Sequence, residues 1–365
     1  MRIVHLSVCR KFSRGQINQL HYEYSASQKL EGVEWKTLGY HTEATESQFI
    51  KRIPAFFRPL FLRNLYGWLV ALRLSKEYDI LIMRHMTFDP FALIFAPFVS
   101  NRISVHHSKE VEELKLVKAG WRGRLASLFE QHTGRVAVKN TKMILGVTEE
   151  IAKYEKETRA PNKPVAVYSN GIDVVSIKKL KDARETHEVH AAFICGNFSS
   201  WHGLDKLIQA VDDDPLSFED IPLFIHLIGH LSPLQLKEIR STERRAKVFR
   251  AYGVMDFSSY STILEKCDFG LASLALERKQ LGEASTLKIR EMLALGLPVY
   301  SGHRDIALSN DYRWSRIVDK VDLRDLHEFG VSMKEISRCD VRSESSIFID
   351  KLQIMKDAIE VFRKL

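Results

Sequence analysis

The chain has 365 residues, of which 45% are hydrophobic and 27% are charged, a composition typical of globular proteins and long enough for two domains. The longest apolar run, from Phe88 to Val99, contains an aspartate and two prolines, so it is too short and too interrupted to span a bilayer. The four cysteines are widely separated and the N-terminus has no signal peptide pattern, so we expect a cytoplasmic protein with reduced thiols.

The net charge of +8 belongs to the first half of the chain. Residues 1–170 contain 26 Lys and Arg against 16 Asp and Glu, whereas the remaining residues contain 28 against 30. This asymmetry predicts an anionic partner for the first half: a membrane surface, a phosphorylated substrate or a nucleic acid.

The chain begins with a predicted strand over residues 2–8 and a predicted helix over residues 16–30. The loop between them contains Gly15. In doubly wound α/β domains this loop faces the ligand, which makes Gly15 a candidate contact for a bound phosphate. A plain turn glycine is the simpler interpretation.

Residues 48–78 combine cations with many aromatic residues. Lys51, Arg52, Arg58 and Arg63 stand among these aromatics, a composition that suits a segment lying in a membrane interface. In the alternative, the aromatics pack in the core and the cations keep their charged ends in water. We expect the membrane interpretation for the first third of the segment and core packing for the rest.

Two buried parallel strands are predicted next, over residues 79–84 and 102–107. His106 and His107 stand at the carboxyl end of the second strand, where open α/β sheets bind ligands. Each histidine could equally be a core or surface residue.

A further strand over residues 163–168 is followed by Asn170-Gly171, a pair that favours a tight turn. We expect the first domain to end there.

The second domain is predicted to begin with a strand over residues 189–196 that ends in glycine. Asn197 follows, and then His202 and Gly203 precede a helix. A glycine at the strand end and another at the helix start permit close approach of the backbone to a phosphate.

Residues 281–300 contain two carboxylates, Glu283 and Glu291, eight residues apart, with Lys288 between them. Apolar spacing predicts a helix that Ser285 or Thr286 can cap and that Gly296 and Pro298 end. The free amides at such a helix start, with a lysine in the first turn, suit a diphosphate, whereas carboxylates accept hydrogen bonds from sugar hydroxyls. The stretch therefore predicts a nucleotide-sugar site.

These stretches, in this order, resemble the retaining glycosyltransferases of the GT-B fold, the large group 1 family. The resemblance is carried by Asn170-Gly-Ile-Asp173, Trp201-His-Gly203, Cys267-Asp-Phe-Gly-Leu-Ala-Ser273 and the Glu-x7-Glu pair Glu283/Glu291.

The resemblance implies an α/β fold of two Rossmann-like, doubly wound domains that face each other across a cleft. An acceptor-side domain would span residues 1–168 and a nucleotide-sugar-binding domain residues 169–345. A C-terminal helix over residues 346–365 would cross back to the first domain.

The resemblance also implies a role for each candidate residue. Glu291 would bind the ribose hydroxyls and Glu283 the sugar hydroxyls. Lys288 and His202, the latter if protonated, would stabilise the leaving diphosphate, and His106 or His107 would lie near the acceptor. The remaining candidate donor contacts are Gly15, Asn197, Gly203, Ser285, Thr286 and Leu287.

The sequence departs from the family pattern at Asn197, where many members have a diphosphate-binding arginine. No Asp-x-Asp pair of the kind found in metal-dependent glycosyltransferases is apparent, so we expect no metal and no cofactor besides the nucleotide-sugar co-substrate. The expected partners are that donor, a glycan or lipid-linked acceptor and an anionic membrane surface, with no nucleic acid; the protein would then lie peripherally on the inner face of the membrane.

Two other functions remain open. The same fold supports nucleotide-sugar epimerases, which act on the donor without an acceptor. A basic adaptor that keeps the fold without catalysis is the other alternative, because of the missing arginine and the charge asymmetry.

Overall fold

The computed structural model describes residues 1–43, 47–117, 120–182, 187–214 and 222–365. The chain forms two compact units. Unit 1 comprises Met1–Asp173 together with Ile349–Leu365, and unit 2 comprises Val174–Phe348. Within the described ranges, every helix is too short or too polar to cross a bilayer.

Unit 1 is built on a seven-stranded sheet in the order β3-β2-β1-β4-β5-β6-β7, with all neighbouring strands parallel. This order, which starts from a central β1 and winds outward in both directions, is that of a Rossmann-like domain. The strands are β1 Arg2–Val8, β2 Glu34–His41, β3 Ile50–Arg52, β4 Ile80–Arg84, β5 Arg102–His106, β6 Met143–Gly146 and β7 Val165–Val167.

Helices cover both faces of this sheet because successive strand residues point to opposite faces. On β4, Leu81 and Met83 pack with Trp68 in one apolar cluster, whereas Ile80 and Ile82 belong to the cluster on the other face. The helices of this part of the chain are α1 Arg14–Ser27, α2 Leu60–Glu77, α3 Ala92–Phe95, α4 Glu110–Val117, α5 Trp121–Lys139 and α6 Glu149–Arg159.

Unit 2 repeats the plan with six parallel strands in the order β10-β9-β8-β11-β13-β15, and β12 pairs with β14 outside that sheet. The strands are β8 Val189–Asn197, β9 Leu223–His230, β10 Phe249–Gly253, β11 Phe269–Leu271, β12 Glu283–Ala284, β13 Val299–Ser301, β14 Arg304–Asp305 and β15 Ser315–Ile317. The helices that follow in the chain are α7 Leu204–Asp213, α8 Pro233–Glu238, α9 Glu243–Val248, α10 Phe257–Leu264, α11 Leu287–Leu295, α12 Leu323–Ser332, α13 Arg338–Ile349 and α14 Lys351–Phe362.

The C-terminal segment is two helices, where one helix over residues 346–365 was expected. Asp350 divides them, because its carboxylate accepts hydrogen bonds from the backbone N–H groups of Leu352 and Gln353 and so begins α14. Met355 and Phe362 of α14 pack in the apolar cluster of unit 1.

The expected turn at Asn170-Gly171 is absent: Gly171 does not have a positive φ, and the next residue, Ile172, forms a parallel bridge with Asp350. A side chain at Gly171 would come within 2.6 Å of the Lys351 Cα atom. The glycine therefore permits close packing against α14.

Candidate functional site

The candidate donor site begins at the carboxyl end of β8. Asn197 ends this strand and is exposed, and the chain continues into a short 3-10 helix, Ser200–His202, and then α7. Gly203 lies between the two helices with a φ of +78°, a conformation that glycine adopts readily. A Cβ at Gly203 would lie 2.9 Å from the Leu274 Cβ, so this glycine also permits close packing.

His202 is held in one orientation by its own turn. The backbone N–H of Ser199 donates a hydrogen bond of 3.0 Å to Nδ1 of His202. Burial, together with the smaller effect of the charges of Lys288 and Lys279, lowers the pKa of His202 to about 3. From the sequence, His202 was expected to donate only if protonated. In the structure the ring is neutral and accepts at Nδ1, so its proton is on Nε2 and it can still donate one hydrogen bond.

The start of α11 supplies the second part of the site, and the helix runs from Leu287 to the C-cap Gly296 as its pattern predicts. Thr286 occupies the N-cap position, but its side chain makes no capping bond, and its Oγ1 is a buried atom with no hydrogen-bond partner among the described residues. Ser285 before it is buried. A buried hydroxyl without a partner beside free helix amides indicates room for a ligand acceptor.

Lys288 connects α11 with β8. Its Nζ donates to Sγ of Cys195 at 3.0 Å and lies 5.3 Å from the centre of the Phe193 ring. Cys195 is the buried residue two positions before Asn197. The cation thus lies at the carboxyl end of the central strand of unit 2, which is where ligands bind in this type of domain.

The two carboxylates of the predicted motif lie on different elements. Glu283 forms β12, which pairs with β14, and its carboxylate lies 3.6 Å from a guanidinium nitrogen of Arg304. Glu291 is on α11, one turn beyond Leu287, and is half-buried. Glu283 was expected in a loop, and the pairing with β14 fixes its backbone instead.

Two further residues of this candidate site, Arg304 and His303, were not predicted from the sequence. Arg304 is a cation beside Glu283. His303 is buried, its Nδ1 bonds to the Ser273 carbonyl at 2.9 Å, and its Nε2 has no partner among the described residues. Burial lowers its pKa, and the charge of Lys288 contributes. Their position just after β13, at the carboxyl end of a strand, could have identified them as candidate ligand contacts.

In unit 1, His106 lies at the end of β5 and is completely buried. Both ring nitrogens are occupied: Nε2 by the Ser104 hydroxyl at 2.9 Å and Nδ1 by the Glu110 carboxylate at 3.1 Å. Burial lowers the pKa of His106 to about 4. The ring is therefore a fixed part of the interior.

Arg159 neutralises the acids around His106. Its guanidinium lies 3.0 Å from both Glu130 and Glu155, and these three side chains are fully buried. His106, Glu110 and Glu155 form the one group in the described part of the chain whose ligand atoms lie close enough for a metal ion. Because Arg159 already supplies a positive charge to Glu155, we assign no metal ion to this group of side chains.

His107, in contrast, lines a cavity at the carboxyl ends of the unit 1 strands, together with Ser108. Burial lowers the pKa of His107 well below its usual value, so the ring is neutral. Gly15 lies in the first turn of α1, where no neighbouring atom would contact a side chain. It is therefore a helix residue, while the adjacent Gln16 lines the cavity.

No protein-family model and no curated protein matches the chain. Solved structures do match. The lipopolysaccharide outer core galactosyltransferase WaaB aligns over 100% of both chains at 11% identity, with a TM-score of 0.64. WaaG, a glycosyltransferase involved in lipopolysaccharide biosynthesis, aligns over 98% of this chain and 99% of its own at 14% identity, with a TM-score of 0.62. Anabaena HepE in complex with UDP and glucose aligns over 100% of both chains at 14% identity, with a TM-score of 0.62.

These similarities establish the fold along the whole chain. The chain has two Rossmann-like units, each with a parallel sheet, and matches GT-B glycosyltransferases over its whole length, so the predicted GT-B fold is confirmed. At 11% to 14% identity the roles of individual residues rest on their own geometry.

Proposed function

We propose that this chain, which has the GT-B fold, is a glycosyltransferase that moves a sugar from a nucleotide-diphosphate sugar to a glycan or lipid-linked acceptor. The observation that carries the proposal is the start of α11, where the Lys288 ammonium and the unpartnered Thr286 hydroxyl lie at the carboxyl end of the unit 2 sheet. HepE, a structural neighbour, binds UDP and glucose.

In this reaction the bond between the anomeric carbon and the diphosphate oxygen breaks, the acceptor oxygen bonds to that carbon, and the proton of the acceptor hydroxyl passes to the leaving diphosphate. Negative charge develops on the leaving diphosphate. Lys288, the amides that begin α11 and Nε2–H of His202 would stabilise that charge. Glu291 would bind the ribose and Glu283 the sugar, with Arg304 orienting Glu283. These groups belong to the protein, so we propose neither a metal nor a cofactor.

On the acceptor side we favour His107, because it lines a cavity while His106 is enclosed. His106 would act by positioning the end of β5. We further propose retention of the anomeric configuration, from the Glu-x7-Glu pattern, and a place in the synthesis of surface polysaccharides or glycoconjugates, from the lipopolysaccharide enzymes among the neighbours.

We also propose that unit 1 associates with an anionic membrane through a surface that sequence analysis did not identify. Six large apolar side chains are exposed on α3, the following short helix and the first half of α5. These six residues, which we call the apolar surface, are Leu93, Ile94, Phe98, Trp121, Leu125 and Leu128. Four of them line one groove: Leu93, Trp121, Leu125 and Leu128.

Charge complementarity supports a lipid partner for the apolar surface. Arg122, Arg124, Arg135 and Lys139 of α5 are exposed, and the single acid of this helix, Glu130, is buried. Exposed tryptophan and leucine beside cations are typical of helices that lie in a membrane interface.

The donor part is tested by thermal-shift and calorimetric titration of the full chain with UDP-, GDP- and ADP-sugars. Specific binding stabilises the folded state by RT ln(1 + [L]/Kd). We expect one of the nucleotide sugars to raise the melting temperature of the protein, and to raise it more than the corresponding free sugar does. If no nucleotide sugar shifts it at millimolar concentration, the proposal is wrong.

A further inference from the structure

Unit 1 contains a polar cavity of about 240 Å³ at the carboxyl ends of β1, β4 and β5. Val8 and Arg84, the last residues of β1 and β4, line it, and Arg63 of α2 reaches it as well. Two further lining residues, Arg10 and His107, follow β1 and β5. The mechanism above uses His107 and leaves the three arginines without a role.

Two of these arginines, one buried and one half-buried, have no partner for their charge among the described residues. Arg63 is 9% exposed and Arg84 is half-buried. Neither guanidinium makes a hydrogen bond or ion pair with a residue in the described part of the chain. Burial lowers the pKa of both. Removing a guanidinium from water without an acceptor is unfavourable, so the cavity is arranged for an anion that supplies one.

The acids at the cavity neutralise only part of this charge. Glu110 and Glu113 line it and favour the charged form of Arg84 through space. The Glu110 carboxylate is bonded to His106 and lies 4.0 Å from Arg159, so its charge is shared with groups behind the wall. Three arginines therefore face two carboxylates, so the charged side chains of the cavity keep a net positive charge.

We infer that this cavity binds a phosphate group carried by the acceptor, an inference that rests on the proposed function. Two guanidiniums match the several oxygens of a phosphate, and the neutral ring of His107 can donate without adding charge. The phosphate would fix the acceptor in unit 1, and its reacting hydroxyl would lie outside the cavity.

The neighbouring groove indicates how such an acceptor could continue. His85 to Thr87 line the cavity, and the next residue, Phe88, lines the apolar groove of α5. Phe88 has a φ of +59°, which a bulky residue rarely adopts, and its N–H is held by the Glu130 carboxylate. The phosphate could thus belong to a phosphorylated sugar or to a lipid phosphate whose chain enters the groove.

Calorimetric titration with inorganic phosphate tests the site in the full chain. We expect one site in the wild type, at least tenfold weaker binding in Arg63→Gln and Arg84→Gln, and unchanged binding in Arg135→Gln, which removes an exposed cation of unit 1. Lys288→Ala should also bind phosphate normally. No binding by the wild type, equal binding by the unit 1 variants, or loss only in Lys288→Ala would overturn the inference.

A thermal measurement separates ligand binding from a structural role. Without phosphate, Arg84→Gln should melt at the wild-type temperature or above it, because an unpartnered buried charge has been removed. Phosphate should raise the wild-type melting temperature and leave that of the variant unchanged. In the wild type, phosphate should also protect Arg63 and Arg84 from phenylglyoxal, mapped by mass spectrometry. A variant that melts lower, with no protection in the wild type, would assign the arginines a structural role.

Titration with a sugar phosphate and with dodecyl phosphate identifies the source of the phosphate. Tighter binding of dodecyl phosphate, lost in Leu125→Ser, would indicate a lipid phosphate, and tighter binding of the sugar phosphate a phosphorylated glycan. Nucleotide-sugar affinity is measured on the same arginine variants and should be unchanged. If the chain binds no nucleotide sugar while phosphate behaves as expected, the proposed function fails and the phosphate site stands.

Discussion

Lys288 is the residue through which the two parts of the candidate donor site meet. Its ammonium contacts Cys195 of β8, and its charge lowers the pKa of His202. The family pattern has an arginine where this chain has Asn197, which is exposed at the end of β8. If the proposed function is correct, we therefore expect charge stabilisation of the leaving group to depend more strongly on Lys288 in this chain.

We predict that Lys288→Ala lowers kcat by on the order of a hundredfold and changes donor affinity much less. The cation is most valuable when the diphosphate leaves, so its effect belongs to the transition state. Steady-state kinetics measure both quantities, with Lys237→Ala, an exposed lysine of α8, as the control. A variant with normal kcat and a raised KM would assign this role to another residue.

Glu291 should act in binding. We predict that Glu291→Ala weakens the affinity for the donor nucleotide by roughly 1.5–3 kcal/mol, because it removes charge-assisted bonds to the ribose. This corresponds to about ten- to a hundredfold in Kd. Calorimetry with the free nucleoside diphosphate gives the value, and Glu335→Ala, an exposed glutamate of unit 2, is the control. Unchanged affinity would exclude the ribose role.

His202 should donate while neutral, which predicts donor binding that does not depend on pH between about pH 5 and pH 8. Its pKa of about 3 in the folded state lies below the unfolded value of about 6.5. Its contribution to folding stability is therefore complete above pH 6.5 and is lost as pH falls towards 3. Affinity that decreases as pH rises through 6.5, and only with His202 present, would show a protonated ring instead.

At the scale of the elements, the buried network of unit 1 ties α4, α5 and α6 to β5. Arg159 of α6 contacts Glu130 of α5, and Glu110 of α4 contacts His106. Each acid is buried and depends on a partner from another element. The network therefore fixes the carboxyl end of β5, where His107 begins the acceptor side.

We predict that Arg159→Met destabilises the protein by about 3–5 kcal/mol, because it leaves buried carboxylates without their cation. Urea unfolding followed by circular dichroism measures the change. Lys153→Met alters an exposed cation of the same helix and should have little effect. A loss below about 1 kcal/mol would mean that the acids are protonated and need no partner.

Helices and strands were predicted well from the sequence where neighbouring residues in the chain determine them. The strand over residues 2–8 and the α11 helix with its Gly296 cap are confirmed because capping and periodicity act within a few residues. The His106 network escaped prediction, since Glu110, Glu130 and Arg159 are brought together only by the fold. The pattern also could not separate exposed apolar residues from core: Phe49 is buried, whereas Trp121 is 68% exposed.

At the scale of the whole molecule, the basic excess of the first half has two structural counterparts. One is the arginine-lined cavity, and the other is the cationic face of α5 beside the apolar surface. In the segment at residues 48–78, Arg63 lies beyond the first third, which is the part expected to contact a membrane, and it is buried in the cavity wall. Lys51 and Arg52 of that segment are exposed.

We predict that the wild type sediments with phosphatidylglycerol-containing vesicles at low salt and much less at about 1 M salt, where the Debye length is about 3 Å. Each cation near the surface contributes about 1 kcal/mol, so Arg122→Glu/Arg124→Glu should abolish binding. Leu125→Ser/Leu128→Ser should weaken it at unchanged charge.

The control variants change the net charge by the same amount as Arg122→Glu/Arg124→Glu does. Lys142→Glu/Lys153→Glu reverses two exposed cations elsewhere on unit 1 and should sediment almost as the wild type does. If Lys51→Glu/Arg52→Glu alone abolishes sedimentation, the earlier segment is the contact. Equal sedimentation of all variants, or concentration-dependent dimers that need the apolar surface, would exclude the lipid partner.

The fold is shared with glycosyltransferases along the whole chain, but a shared fold does not establish catalysis. The most direct measurement is nuclear magnetic resonance of the anomeric proton while the full chain is incubated with the nucleotide sugar that binds it. We predict release of the nucleoside diphosphate, with the sugar first appearing in the configuration that it had in the donor, and loss of this turnover in Lys288→Ala. Binding without release of the nucleoside diphosphate would indicate an adaptor, and an epimeric product would indicate an epimerase. A released sugar of inverted configuration would indicate a glycosyltransferase that does not retain the configuration. Each of these results would contradict the account.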